Sequence, residues 1–295
     1  MSDPGPVALG FDFGGTKCAI AVGTRDGRIL ADDRLSTAAF PRADALVDRA
    51  AARGKKLAEG RRIAAIGVST MGITREDGVL FAPNVPGWEH LRLPRFFRDR
   101  FPGLPIRIGN DVKAAHQAEI RWGALRTAFA SAYLNLGTGV AVSYAVDGRV
   151  VAGAHGAAGE IAYGWRGEEP GAWAGRAPLE ERLGGAALDR ELELRFGVSS
   201  LADAFRIREE RPEVGRFLYE RFTELGWWIG QALLVLDVDV LAVGGGVSRS
   251  LPHFEPWWGA LWRDHLPFPP TVRPARFLDR AGLMGAMSLA WEGCP

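Results

Sequence analysis

The sequence predicts an α/β protein of two related halves that face each other across a cleft. The first observation behind this is an internal repeat. The run Phe11-Asp-Phe-Gly-Gly-Thr-Lys-Cys-Ala-Ile-Ala-Val, closing on Asp26-Gly-Arg-Ile-Leu-Ala, returns as Leu134-Asn-Leu-Gly-Thr-Gly-Val-Ala-Val-Ser-Tyr, closing on Asp147-Gly-Arg-Val-Val-Ala. Each copy reads as strand, glycine turn, strand, Asp-Gly turn, strand, and the second is two residues shorter between its turns. The second observation is the alternation of strand and helix patterns after each copy. The third is a glycine cluster, Gly244 to Gly246, at the end of an apolar run.

In the first half, hydrophobic spacing predicts a helix over 43–59 and a buried strand over 63–68. A Pro/Gly-rich loop over 81–87 follows, then a short helix over 94–101, a short strand over 106–108 and a helix over 112–122. The second half carries the repeated strands, an irregular stretch over 164–178, and helices near 186–196, 201–210 and 213–236. An apolar strand over 238–243 runs into the glycine cluster, and a last helix covers 283–292.

Composition narrows the function classes. The chain has 295 residues, 47% of them hydrophobic, which suits a substantial packed core in two domains of ordinary size or one large one. Its 36 basic and 35 acidic residues leave a net charge of +1. That balance gives no footprint for nucleic acid or an anionic membrane. Only four basic residues are lysines (Lys17, Lys55, Lys56, Lys113), a bias that argues against reading any single surface arginine as functional. Cys18 and Cys294 lie at opposite ends of the chain and form neither a zinc spacing nor a disulfide framework. The first six residues lack a signal peptide's basic and apolar regions. The most apolar stretch, 227–247, is interrupted by Gln231, Asp237 and Asp239 and is no membrane span. A cytoplasmic location is expected.

Candidate chemistry gathers at the turns. Asp12 precedes Gly14, Gly15, Thr16 and Lys17 between two apolar strands. Glycines there permit positive φ and let backbone N–H groups approach an anion, and the carboxylate suits a Mg²⁺ ion bridging phosphate oxygens. A plain hairpin turn is the competing reading. Gly137, Thr138 and Gly139 form the equivalent turn of the second copy, and the two together read as a phosphate clamp. Gly244, Gly245 and Gly246 end a strand where an α/β sheet binds a nucleotide base and ribose, or else form only a flexible turn. Neither a Walker P-loop nor a dinucleotide-binding G-x-G-x-x-G is present.

Asn110-Asp111 stands where a strand gives way to a helix, so it reads as an N-cap, as a mount for a catalytic base, or as both. Asn84 and the run Gly153-Ala-His-Gly-Ala-Ala-Gly-Glu160, with His155, supply amides and carboxylates of the kind that recognise polyols. Each taken alone also reads as an ordinary loop residue.

In this order the motifs resemble the ROK family of sugar kinases and related repressors. The resemblance rests on Asp12-Phe-Gly-Gly-Thr-Lys, Pro83-Asn-Val-Pro-Gly-Trp, Asn110-Asp111, Leu136-Gly-Thr-Gly, Gly153-Ala-His-Gly-Ala-Ala-Gly-Glu-Ile and Val243-Gly-Gly-Gly-Val-Ser, and spans nearly the whole chain. It implies an actin-like ATPase fold, a duplicated ribonuclease H-like architecture closing on ATP and a sugar. One domain would cover 1–113 with the helix at about 281–295 returning to it, and the other 114–280. It further implies Asp111 as catalytic base, Asn84, Asn110, His155 and Glu160 as sugar contacts, and Glu180 as a later sugar-binding glutamate. The expected donor is ATP with Mg²⁺, and the acceptor is the 6-hydroxyl of glucose or of an aminoglucose. Polyphosphate as donor, homodimer formation and a non-catalytic sugar sensor stay open.

The chain departs from the family at Glu160-Ile-Ala-Tyr163, where many members carry a histidine and then a cysteine cluster that binds zinc. No cysteine lies in 164–178, so zinc is not expected there. The loop is expected to be held by packing through Trp165 and Trp173. In the family that histidine also touches the sugar, so Tyr163 marks the position where substrate choice would differ, with an amino sugar such as kanosamine or an N-acetylhexosamine as the alternative. The first strand begins near Val7, leaving no room ahead of it for the repressors' helix-turn-helix, so DNA binding is not expected.

Overall fold

The computed structural model describes residues 5–80, 87–292 and 294. The chain divides into two compact units, Met1–Gly123 with Arg280–Pro295, and Ala124–Asp279.

The first unit is built on β1 (Val7–Phe13), β2 (Lys17–Gly23), β3 (Ile29–Ser36), α1 (Ala43–Leu57), β4 (Ile63–Thr70), the short pair β5 (Ile73–Thr74) and β6 (Val79–Leu80), α2 (Leu93–Arg100), β7 (Ile106–Asn110) and α3 (Asp111–Trp122). Its main sheet has the order β3-β2-β1-β4-β7, with β1 antiparallel to β2 and parallel to β4. The second unit holds β8 (Ala130–Leu136), β9 (Val140–Val146), β10 (Arg149–Val150), α4 (Pro178–Leu183), α5 (Gly185–Phe196), α6 (Leu201–Ile207), α7 (Pro212–Leu234), β11 (Val240–Gly244), α8 (Leu251–His265) and β12 (Thr271–Pro274). Its sheet runs β10-β9-β8-β11-β12, the order of the first sheet element for element, with the same directions. The repeat read in the sequence is therefore a repeat of topology.

The last helix, α9 (Ala281–Glu292), packs in the first unit, and the sequence of β1 explains how. Alternate residues of a strand point to opposite faces. Val7, Leu9, Phe11 and Phe13 are large and enter a core with Leu46, Val47, Ala50, Trp88 and Phe97. Ala8, Gly10 and Asp12 are small or polar and face α9. A Cβ on Gly67 of β4 would stand 1.8 Å from the Ala286 carbonyl oxygen, and one on Gly10 would stand 2.8 Å from Met287 Sδ. The helix thus lies almost backbone to backbone on the sheet.

In the second unit α7 and α8 pack by the same logic. Gly226 and Gly230, one turn apart on α7, leave room for the indoles of Trp258 and Trp262 on α8. Those indoles donate hydrogen bonds to the carbonyls of Phe222 (2.7 Å) and Gly226 (2.8 Å). Large aromatic burial with each N–H satisfied stabilises the pair.

Several sequence expectations need correction. The strand expected over 63–68 continues to Thr70, and the one expected over 106–108 reaches Asn110. Neither α8 nor β12 was expected: Pro252 suits the first turn of α8, but Pro256 lies inside the helix, which tertiary packing enforces. Trp165 and Trp173 are 64% and 93% exposed, so neither is packed inside the protein as expected. Among the described residues no helix is long and apolar enough to cross a membrane.

Candidate active site

In the first unit the candidate residues meet at the carboxyl ends of three adjacent parallel strands. Phe13 is in register with Thr70, and Thr70 with Asn110. Strands lie roughly 4.8 Å apart, so Asp111 starts α3 about 10 Å across the sheet from the turn after β1. Asn110 is the N-cap of α3: its Oδ1 accepts from the N–H groups of Val112 (3.0 Å) and Lys113 (3.2 Å), while its Nδ2 donates to the Gly72 carbonyl (3.2 Å). The capping reading of Asn110 therefore holds, and both ends of its side chain are engaged. Asp111 Oδ1 accepts from Val112 N (2.9 Å), and the residue is only partly buried.

The turn Gly14-Gly15-Thr16 is closed by Gly14 N–H donating to the Lys17 carbonyl (2.9 Å). Gly15, Thr16 and Lys17 are exposed, and Gly15 and Thr16 line a cavity of about 460 Å³ with Ser36, Thr37 and Phe40. Of the two reasons expected for the glycines, positive φ does not hold: neither Gly14 nor Gly15 adopts it, and neither do Gly137 and Gly139.

Asp12 is partly buried, and desolvation raises its pKa from 3.8 to about 6, with Ser69 and Lys17 partly offsetting the shift. Ser69 is its register partner on β4. A Cβ on Gly282 would stand 2.4 Å from Asp12 Oδ1, so the first turn of α9 lies directly against the carboxylate. Sequence reading missed both Ser69 and Gly282, because only strand register and helix docking bring them to Asp12. A hard oxygen donor whose charged form is disfavoured by desolvation suits a divalent cation, whose charge would offset that cost. No group of three or more His, Cys, Asp or Glu able to hold a metal occurs among the described residues. Mg²⁺, which keeps several waters and takes few protein ligands, fits such a site.

The raised pKa makes a prediction. Folded protein holds the Asp12 proton longer than unfolded protein as pH rises from about 4 to about 6. Stability is therefore lost through that window, and above it the buried charge costs about 3 kcal/mol. Asp12→Asn is expected to melt above the wild type at pH 7.5 in metal-free buffer, with the difference shrinking toward pH 4. Equal melting curves at both pH values would contradict the shift.

In the second unit the two glycine clusters come together. A Cβ on Gly137 would lie 3.8 Å from Gly246 N and 4.0 Å from Gly245 Cα. Gly245 has φ of +82°, and a side chain there would strike the Leu136 carbonyl at 2.3 Å. The turn is fixed from outside, since the N–H groups of Gly185 and Ala186, at the start of α5, donate to the carbonyls of Gly137 (2.9 Å) and Thr138 (3.0 Å). Gly139 is glycine for another reason: a Cβ would stand 1.9 Å from Glu180 Oε2, and that oxygen accepts from Val140 N–H (3.1 Å).

Glu160 precedes and Tyr163 ends a single turn of 3-10 helix, Ile161–Tyr163. The Tyr163 hydroxyl is pushed to higher pKa by burial and then by the charges of Glu160 and Glu180. The structure thus gathers Glu160, Tyr163 and Glu180, while His155 sits in an exposed turn between Gly153 and Gly156. Asn84 lies outside the described residues.

Two five-stranded sheets of identical order, each with a glycine turn after its first strand, define the actin-like ATPase fold, which solved ROK hexokinase and glucokinase structures share. The ROK family profile matches residues 8–292, and the chain belongs to the ROK family. It is 27% identical to a glucokinase of Streptomyces coelicolor over 98% of this chain and 99% of that protein. It is 28% identical to an N-acetylmannosamine kinase of Salmonella heidelberg over 96% and 97%. A crystal structure of a ROK family glucokinase from Streptomyces griseus, in complex with glucose and AMPPNP, superposes with a TM-score of 0.76 at 26% identity, covering 97% of this chain and all of that one. These relatives support a sugar kinase.

Proposed function

We propose that the protein is an ATP-dependent hexose kinase that phosphorylates the 6-hydroxyl of glucose or of an aminoglucose. The observation that carries this reading is the meeting of the two glycine clusters in the second unit. Gly137 to Gly139 offers backbone to phosphates beside Gly244 to Gly246, which suits base and ribose, and Glu180 closes on the same turn. Asp111 accepts the proton of the attacking hydroxyl, whose oxygen bonds to the γ-phosphorus as the bond to the bridging oxygen breaks and ADP leaves. Thr16, Lys17 and Thr138 orient the phosphates. Mg²⁺, held at Asp12 directly or through water, would neutralise phosphate charge when bound. Sugar binding is assigned to Glu160, Tyr163, Glu180 and His155, with Asn84 and Asn110.

The grouping of Glu160 and Glu180 around Tyr163 favours a second reading, an amino sugar as substrate, because two carboxylates suit an ammonium group. The likeness to an N-acetylmannosamine kinase supports weighing N-acetylated hexosamines beside it. A panel of hexoses and aminohexoses, read by coupled ADP release, tests both. Sugar binding without ADP release would favour the non-catalytic sensor instead. Glu180→Gln keeps an oxygen for Val140 N–H but removes the charge. It is expected to lower kcat/KM for the sugar by about 10–100-fold, and more for an aminohexose than for glucose. An equal loss on both would remove the ammonium reading.

A further inference from the structure

One carboxylate of the second unit gathers arginines from both flanks of the candidate sugar site. Glu224, on α7, has a side chain only 13% exposed. Its Oε1 lies 3.0 Å from Arg166 and 2.7 Å from Arg182, and its Oε2 accepts from Arg182 (3.1 Å) and lies 3.7 Å from Arg221. Arg166 stands three residues beyond Tyr163, and its guanidinium also lies over the rings of Trp227 and Trp228, 5.9 and 5.8 Å from their centres. Between them Gly164 packs on Trp228 and on Leu179 of α4, where a Cβ would lie 3.2 and 3.6 Å away. Arg182 stands two residues beyond Glu180 on the same short helix. The loop after Tyr163 is therefore tied to α7 by charge, and the tie reaches the segments bearing Glu160 and Glu180. The side chains of Arg166 and Arg182 are 49% and 45% exposed, so each pair alone contributes little, and the tie depends on one enclosed carboxylate shared by both arms.

We propose that Glu224 is a positioning residue, holding the turn after Glu160 and the helix that carries Glu180 in the mutual geometry that binds the sugar. This rests on the sugar-kinase reading above. Arg221 continues the network to Glu191 (2.7 Å), which pairs with Arg195 (2.8 Å) but touches neither Arg166 nor Arg182, so Glu191 supplies the control.

The test compares wild type, Glu224→Gln and Glu191→Gln. Glu224→Gln is expected to raise the sugar KM about 10-fold or more while the ATP KM stays within about twofold. Amides of 161–166 and 179–184 are expected to exchange hydrogen at least about 10-fold faster in the sugar-free protein. Glu191→Gln is expected to change neither, whatever it does to the melting temperature. Equal shifts in both KM values, the same KM pattern from Glu191→Gln, or unchanged exchange would overturn the proposal. Should Glu224→Gln not fold, Arg166→Gln and Arg182→Gln each remove one arm, and each is expected to loosen its own segment. If the wild type phosphorylates no sugar, the kinase reading falls, while the exchange comparison still decides whether Glu224 holds these segments.

Discussion

Asp111→Asn is expected to lower kcat by about 10²–10⁴-fold, the usual cost of losing a positioned base, while the fold survives. The structure separates the two effects. The helix cap belongs to Asn110, whose Oδ1 takes the N–H groups of Val112 and Lys113. Asp111 adds an acceptor to Val112 N and a charge near the helix start, the charge worth about 0.3–1 kcal/mol. Asparagine keeps the shape and loses the proton acceptor. The expected result is an unchanged far-UV spectrum, a melting temperature within a few degrees of wild type and nearly unchanged sugar and ATP affinity, with turnover almost gone. A variant that keeps most of its turnover would remove Asp111 from the mechanism, and one that unfolds would return it to a capping role.

The largest expected stability effect lies where α9 meets the sheet behind Asp12. Gly67→Ala places a Cβ 1.8 Å from the Ala286 carbonyl oxygen and 2.6 Å from Ala290 N, both backbone atoms of α9. No side-chain rotation relieves such an overlap, so the helix itself must move. Overpacking commonly costs about 1–3 kcal/mol where side chains can adjust, and here the loss is expected to reach at least about 3 kcal/mol, or about 6–12 °C in melting temperature. Gly10→Ala is the comparison. Its Cβ meets Met287 Sδ, the flexible part of an adaptable side chain, so its cost is expected to be clearly smaller. Equal costs at the two positions would mean that α9 slides freely on the sheet. Because α9 starts against Asp12, Gly67→Ala is also expected to reduce turnover more than its stability loss alone explains.

Much of this was legible in the sequence because it is local. The repeated strands and their glycine turns lie within short windows, and the helix start at Asn110-Asp111 is written in two residues. The reason assigned to the glycines was not legible. Gly139 is required by Glu180, Gly245 by Leu136 and Gly282 by Asp12, each partner distant in sequence. Helix α8 was missed for a related cause: Pro256 inside it weakens the local signal, and its Trp258 and Trp262 fit only once Gly226 and Gly230 of α7 stand opposite.

The sequence by itself therefore determined the duplicated α/β plan and the family, and it nominated the glycine turns and carboxylates on which the proposed function rests. Periodicity and turn chemistry act over a few residues and are readable without coordinates. Tertiary structure alone decided that α9 seals the back of Asp12, that Glu160, Tyr163 and Glu180 share one place, and that Glu224 sits behind them. Those arrangements depend on strand register and on backbone approach between distant segments, where a single Cβ separates contact from collision.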